Sequence, residues 1–375
     1  MSPVRISAPR LHERPAPAGS LPTAADDTIR PAAAFTPRRL QPSLRKTILI
    51  ALLVLLASGG GSATASHGTS APGSPRVAIF YYPWYGTPAR DGSYAHWEQG
   101  GRKAPLDIAS GFYPARGVYS SSNPKVVRAQ MREIRAAGID EVATSWWGWG
   151  SYEDERLPLV LTEASRAGLA VSIHLEPYLG RTPESVASDI EHLRAFGVTD
   201  FYIYQPLDVR AEDWAALNDS LDSSVRLFAA TSMVGFAAAG HFDGVYTYDI
   251  VQHPAAQFAR LCAQAHALGL VCAPSVGPGF DARRATGDDL VKPRRSGATY
   301  DHMWRAALTA GADKVTITSY NEWHEGTQIE PAHREPAALG YASYDGAWGL
   351  EGKPAQRSYL RRTAYWAGLF HAGLY

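Results

Sequence analysis

One short pattern recurs five times along the chain: a helical stretch ends at a glycine, and a buried apolar run follows within a few residues. It appears as REIRAAGIDEVATSWW, EASRAGLAVSIHLEPY, HLRAFGVTDFYIYQP, CAQAHALGLVCAPSV and AALTAGADKVTITSYNEW. The glycines Gly138, Gly168, Gly197, Gly269 and Gly311 stand where a helix C-terminus favours a left-handed residue. The upstream ends agree, because Asn123-Pro124 and Thr182-Pro183 each pair a capping side chain with proline at the first helical position. Behind them Val127, Met131 and Ile134, and likewise Val186, Ile190 and Leu193, recur at helical spacing. Continuous apolar strands alternating with helices suit a parallel sheet covered on both faces.

Eight candidate strands fall near 77–82, 141–146, 170–175, 201–205, 225–229, 243–247, 270–275 and 314–319. Eight such units closing on themselves make a single (β/α)8 TIM barrel, spanning 77–375. A doubly wound open sheet is the competing α/β arrangement, but no Gly-rich nucleotide fingerprint follows the first strand. The barrel reading carries an internal test, since active sites of this fold lie at the C-terminal strand ends. Those ends read YYPWYG, SWWGWG, HLEPY, YQP, TYD and SYNEWHE, whereas the opposite ends read GID, GLA, GVT, GLV and GAD. Aromatics and carboxylates therefore gather at one rim.

The first 75 residues belong to another class of sequence. Residues 1–46 are rich in Pro, Ala and Arg with little apolar periodicity, which suits disorder. Arg45 and Lys46 then precede an apolar run from Ile48 to Ala57 and a small-residue Ala63-Thr64-Ala65 site, the layout of a secretory signal. The run is shorter than the roughly 20 apolar residues of a membrane span. Cleavage after Ala65, a short linker over 66–76 and a secreted barrel are the expectation. An uncleaved signal anchor is the alternative, and the long n-region admits a downstream start codon or a twin-arginine signal at Arg38-Arg39. Residues 1–65 hold 8 of the 36 Lys+Arg and 3 of the 36 Asp+Glu, leaving 28 against 33, a formal net charge of −5. A mildly acidic chain of this kind is not expected to bind nucleic acid or an anionic membrane. Cys262 and Cys272 are the only cysteines, so no disulfide framework is implied, although one bridge across the turn between them is compatible with export.

The densest chemistry lies in NEWHEGTQIEP, residues 321–331, directly after the last strand. Glu322 and Glu325 are three apart, a spacing that diverges in a strand and converges in a turn or helical start. Two converging carboxyls in an aromatic cleft suit glycosidic bond cleavage, one protonated to donate to the leaving oxygen and one ionised as base or nucleophile. Trp323 and its neighbours would supply the desolvation that raises the acid's pKa. Two other readings stand beside this one at this point: rim salt bridges or caps, and a metal site using Glu322, His324 and Glu325 with His174 or Glu176. No familiar zinc spacing is present.

NEWHEGTQIEP resembles the signature of glycoside hydrolase family 99, the endo-α-mannosidases and bacterial endo-α-1,2-mannanases. YYPWYG, HWE, YPARGVYSSSNP, SWWG and HLEPYLGR resemble it too, in order from about residue 80 to 331. The resemblance implies a (β/α)8 barrel that hydrolyses internal α-mannosidic linkages with retention, without metal or other cofactor, on an α-mannan or mannose-rich glycan. It implies Glu325 as general acid/base and Glu322 as the other catalytic carboxylate. In the family the latter is thought to deprotonate the sugar 2-hydroxyl, which closes on the anomeric carbon as a 1,2-anhydro intermediate; the sequence does not choose between this and a direct nucleophile. Tyr82, Tyr85, His96 and Trp97 are implied as groove residues, with His174, Glu176, Tyr178, Tyr248, Trp323 and His324 as further substrate contacts and Glu330 bonding backbone or a neighbouring sugar. Trp146 and Trp147 fall where bacterial members carry tryptophan and animal members tyrosine, implying mannose over glucose in the −2 subsite. Residues 207–240, including GFAAAG, match nothing in the family pattern, and no accessory domain is visible after the signature. A monomer is expected. The competing functional classes, a carbohydrate-binding protein or a glycan-synthesis protein on the same barrel, would dispense with a carboxylate or with export.

Overall fold

The computed structural model describes residues 76–333 and 339–374. The expected leader (1–65) and all but the last residue of the expected linker (66–76) lie outside the described residues. Nine parallel strands form one sheet: β1 (Arg76–Tyr81), β2 (Glu141–Trp146), β3 (Ala170–Leu175), β4 (Asp200–Ile203), β5 (Arg226–Ala230), β6 (Gly244–Tyr246), β7 (Val271–Ala273), β8 (Ser275–Val276) and β9 (Lys314–Ile317). Their order is β7-β6-β5-β4-β3-β2-β1-β9-β8. The two outermost members are one strand interrupted at Pro274. Gly244–Tyr246 pairs with Val271–Ala273, and Thr316 and Ile317 pair with Ser275 and Val276. Proline has no N–H to donate to the ladder, yet its carbonyl still accepts from Thr316 N at 3.2 Å. The sheet thus ends on the segment where it begins, and eight strands close into a (β/α)8 barrel.

The helices α1 (Pro124–Ala136), α2 (Tyr152–Ala167), α3 (Pro183–Arg194), α4 (Ala211–Ser220), α5 (Val234–Ala239), α6 (Phe258–Ala267), α7 (Ala298–Thr309) and α8 (Ser358–His371) complete the units. Asn123 caps α1 by accepting from Lys125 N, and Thr182 forms a capping box with Ser185 at α3. The five terminal glycines all have φ between 65° and 83°. α1 buries Val127, Met131 and Ile134, and α3 buries Val186, Ile190 and Leu193, each worth about 1.5–3 kcal/mol relative to exposure. GFAAAG, unplaced by sequence, supplies most of α5. The strand ends are shorter than expected at 314–319, because the chain turns into the signature loop after Ile317.

Strand alternation divides the core. Phe80, Ala143, Tyr202, Phe228, Tyr246 and Ala273 fill the barrel, while Val77, Ile79, Tyr81, Val142 and Ile173 join the layer under the helices. The floor of the barrel is polar: Lys314 Nζ donates to Glu141 Oε2 at 2.9 Å and to Tyr202 Oη at 2.8 Å. Tyr202 and Ser172 donate to Glu141 Oε1 at 2.9 and 2.8 Å. A buried ion pair holds its position only when its remaining valences are met in this way. Cys262 and Cys272 are joined in a disulfide that ties α6 to β7. Among the described residues no helix is long and apolar enough to cross a membrane.

Candidate active site

The loop after β9 is held rigidly before it presents any chemistry. Asn321 clamps the end of β1, accepting from Tyr82 N at 2.8 Å and donating to Tyr82 O at 2.9 Å. Tyr85 Oη donates to Asn321 O at 2.9 Å and accepts from Trp323 N at 3.1 Å. Ser319 Oγ accepts from Glu322 N at 2.8 Å. The turn closes at Gly326, whose φ of 63° and whose closeness to Asp281 O (3.0 Å from a hypothetical Cβ) both exclude a side chain. Residues 323–326 form this turn, so Glu322 and Glu325 fall on one turn at the C-terminal rim.

The two carboxyls have different environments. Glu322 is buried; its Oε1 accepts from His324 N at 3.1 Å, and its buried Oε2 has no protein partner. Burial, then the Glu325 charge, hold its pKa well above the ordinary carboxyl value. Glu325 is half-buried, reached by solvent yet surrounded by protein. Burial followed by the Asp249 charge raises its pKa to about 8, opposed by the Tyr248 hydroxyl, which donates to Glu325 Oε2 at 3.2 Å. Tyr248 in turn accepts from Tyr82 Oη at 2.5 Å. Burial and the neighbouring carboxylates therefore disfavour ionising both groups at once. His324 is pushed down to about 4 by burial; its neutral Nε2–H donates to the His96 carbonyl.

The other candidates divide by depth. Tyr82 and Tyr248 stand over the barrel core beside the carboxyls, and Glu176 accepts from Ser145 Oγ at 2.9 Å on the same rim. Its charge raises the pKa of both Glu322 and Glu325. His96 and Trp147 are partly exposed at the rim. Tyr178 donates to Asp189 and shares a hydrogen bond with Ser185 at 2.7 Å. Tyr85, Trp97, Trp146 and Trp323 depart from the expectation of direct sugar contact: all four are fully enclosed. Trp146 points outward because strand alternation sends 142, 144 and 146 toward the helices and 143, 145 and 147 toward the barrel axis. Trp323 donates to Glu330 Oε2 at 2.9 Å. His174 is likewise buried, its Nε2 3.0 Å from Tyr246 Oη and its Nδ1 beside Glu176 Oε1 at 3.0 Å without a hydrogen bond between them. Glu330 is corrected too. It bonds side chains, Arg116 at 2.8 Å, Tyr119 at 2.7 Å and Gln130 at 2.9 Å, and is fully buried beneath Trp323.

Sequence reasoning passed over several residues that shape the site. Trp84 stacks on His96 with ring centroids 4.5 Å apart and 3° between planes; it sits inside YYPWYG, so the signal was available. Asp249 and Ser145 were within quoted rim segments but lacked a distinguishing spacing. Arg116, Gln130 and Tyr119 meet Glu330 across some 200 residues of chain, which no local pattern reports. Among the described residues no group of three or more His, Cys, Asp or Glu side chains is arranged to hold a metal ion.

A barrel with two buried or half-buried carboxyls on one rim turn, surrounded by aromatics, fits a glycoside hydrolase. The comparison with known families agrees: the profile of glycosyl hydrolase family 99 matches residues 74–372. The chain belongs to glycosyl hydrolase family 99 and is an endo-acting glycoside hydrolase by that membership. It is 31% identical over 352 residues to a glycoprotein endo-alpha-1,2-mannosidase-like protein of Danio rerio, covering 78% of each chain. It is 31% identical over 313 residues to a glycoprotein endo-alpha-1,2-mannosidase of Rattus norvegicus, covering 68% of each. In structure it is similar to the family 99 endo-alpha-mannosidase of Bacteroides thetaiotaomicron, with a TM-score of 0.71 at 31% identity, covering 80% of this chain and 98% of that one.

Proposed function

We propose that the protein is a secreted, retaining, endo-acting α-mannanase that cleaves internal α-1,2-mannosidic linkages of mannans or mannose-rich glycans. Glu325 is the general acid/base and Glu322 assists through the substrate 2-hydroxyl. The observation that carries this assignment is geometric: Glu322 and Glu325 share one rim turn, Tyr248 donates to Glu325, and a buried Glu322 oxygen has no protein partner. A carboxylate oxygen of that kind is suited to accept the proton of a sugar hydroxyl.

In the first step Glu325 gives its proton to the departing glycosidic oxygen. Glu322 takes the proton of the 2-hydroxyl, and O2 forms a bond to C1 as the C1–aglycone bond breaks. In the second step Glu325, now a carboxylate, takes a proton from water. The water oxygen bonds to C1, the C1–O2 bond opens, and O2 recovers the proton held by Glu322. Two inversions at C1 give net retention. Tyr248 steadies the ionised form of Glu325 between the steps.

Trp147, on the axis-facing side of β2's end, supports a −2 subsite preference for mannose. Export through the leader at 1–65 and a monomeric state belong to the same proposal. The test is incubation of the purified protein with an α-1,2-branched mannan and identification of released sugars by mass, alongside Glu322→Gln and Glu325→Gln. Release of di- or longer mannosides by wild type alone is expected. Undiminished release by either variant overturns the assignment, and a glucosyl-mannose substrate cleaved much faster than its mannosyl analogue overturns the specificity.

A further inference from the structure

Most of the tryptophans are wholly or partly buried, but Trp149 is 63% exposed, and among the described residues it is the only tryptophan this open. It lies in SWWGWG, two residues beyond Trp147, with Gly148 (φ 99°) and Gly150 (φ 72°) on either side. The loop that carries it is tied down by hydrogen bonds. Asp154 holds both of its ends, accepting from the Trp146 indole N–H at 3.0 Å and from Gly150 N at 2.9 Å. The Trp149 ring lies against His192 with centroids 4.2 Å apart, and its indole N–H interacts with the Asp189 carboxylate. Asp189 also accepts from the Tyr178 hydroxyl, and the Tyr178 ring packs 3.5 Å from where a Cβ on Gly148 would stand. The indole is thus held on one side and open on the other, and Tyr178, whose N–H donates to Glu176 O at 2.9 Å, joins its loop to the neighbouring strand end.

We propose that Trp149 is the platform of a distal subsite that stacks a pyranose ring of the glycan beyond the units reaching Glu322 and Glu325. The inference rests on the glycan-cleaving reading above. A hexose ring offers an apolar C–H face bordered by hydroxyls, matching an aromatic face bordered by His192, Asp189 and Asp154. A protein partner would call for a contiguous apolar patch instead. An aromatic held by its neighbours adds contact area at a low ordering cost on binding.

The test compares kcat/KM on short and long α-mannooligosaccharides for the full-length wild type, Trp149→Ala and Trp149→Phe. In Trp149→Ala the long-to-short ratio falls about tenfold, the effect of losing one stacked ring face, and Trp149→Phe restores part of it. An unchanged ratio, or equal losses on both lengths, overturns the proposal; the latter would mean that Trp149 only supports its loop. Fluorescence titration with manno- and gluco-oligosaccharides separates this from the cleavage reading. If wild type binds an oligosaccharide with a tryptophan signal absent from Trp149→Ala yet cleaves none, the subsite stands and the hydrolase assignment fails. No Trp149-dependent binding of any of these sugars, or a wild-type dimer that Trp149→Ala converts to monomer, overturns the subsite.

Discussion

Replacing Tyr248 by Phe removes one O–H donor from Glu325 and leaves the ring in place. The bond is 3.2 Å long, at the weak end for a charged acceptor, so about 1.4 kcal/mol is lost from the ionised form. That converts to about one pH unit. The sign follows from what the donor does: it favours the carboxylate, so without it the pKa rises from about 8 toward ~9. Catalysis on free enzyme and substrate requires the proton on Glu325, so the alkaline limb of kcat/KM moves to higher pH. Asp249→Asn supplies the opposite sign. The Val251 and Gln252 amides both donate to Asp249 Oδ1, at 2.8 and 2.9 Å, an acceptor that asparagine keeps. Removing the charge that raises Glu325 lowers its pKa, and the limb moves down by about half a unit. The assay is the pH profile of kcat/KM for wild type and both variants on one mannoside. Limbs that move in the same direction, or that stay fixed in both, refute the assignment of Glu325 as the group that must hold a proton.

The remaining predictions concern stability. A carboxyl whose folded pKa is raised loses stability as pH rises from about 4.5 through about 8, because the unfolded chain releases its proton first. Glu325→Gln therefore raises Tm at pH 8 by a few degrees, from roughly 1–2 kcal/mol, and a lower Tm would contradict the raised pKa. Lys314→Met strands the buried Glu141 charge at the barrel floor and costs about 3–5 kcal/mol in denaturant unfolding; a loss below ~1 kcal/mol would show that the pair is replaceable. Removing the Cys262–Cys272 bridge, which closes a loop of separation 10, costs about 3 kcal/mol on the chain-entropy account. Equal midpoints with and without reductant would contradict it.

Local physics made the repeating frame readable. A glycine after a helical run and a capped proline before one are short-range signals, and every one of the five glycines adopts the left-handed conformation. The asymmetry between aromatic, acidic strand ends and the plain GID-type ends was legible because strand direction alone decides which residues share the C-terminal rim. Depth was harder to read. Trp146 and Trp147 are adjacent letters, but a period of two puts one under α2 and the other toward the axis, so treating them as a pair hid the difference. His174 follows the same rule: it is an axis-facing residue one level below the rim, where it packs against Phe80 and Tyr248 instead of meeting solvent. Glu330 belongs to the signature, yet its partners come from α1 and the segment before it. The Glu141–Lys314 floor joins strands 173 residues apart. Such contacts are products of barrel closure, which itself runs through Pro274, inside the strand expected at 270–275.

The division of labour between the two carboxyls is tested most directly with a leaving group that needs no proton. Wild type, Glu325→Gln and Glu322→Gln should be compared on an α-1,2-mannan oligosaccharide and on the glycosyl fluoride of the preferred mannoside. The account predicts that both variants lose the oligosaccharide activity, and that the fluoride restores Glu325→Gln by about 100-fold or more and leaves Glu322→Gln inactive. Restoration of Glu322→Gln instead, or equal behaviour of the two variants on both substrates, would contradict the assignment of acid and assisting base.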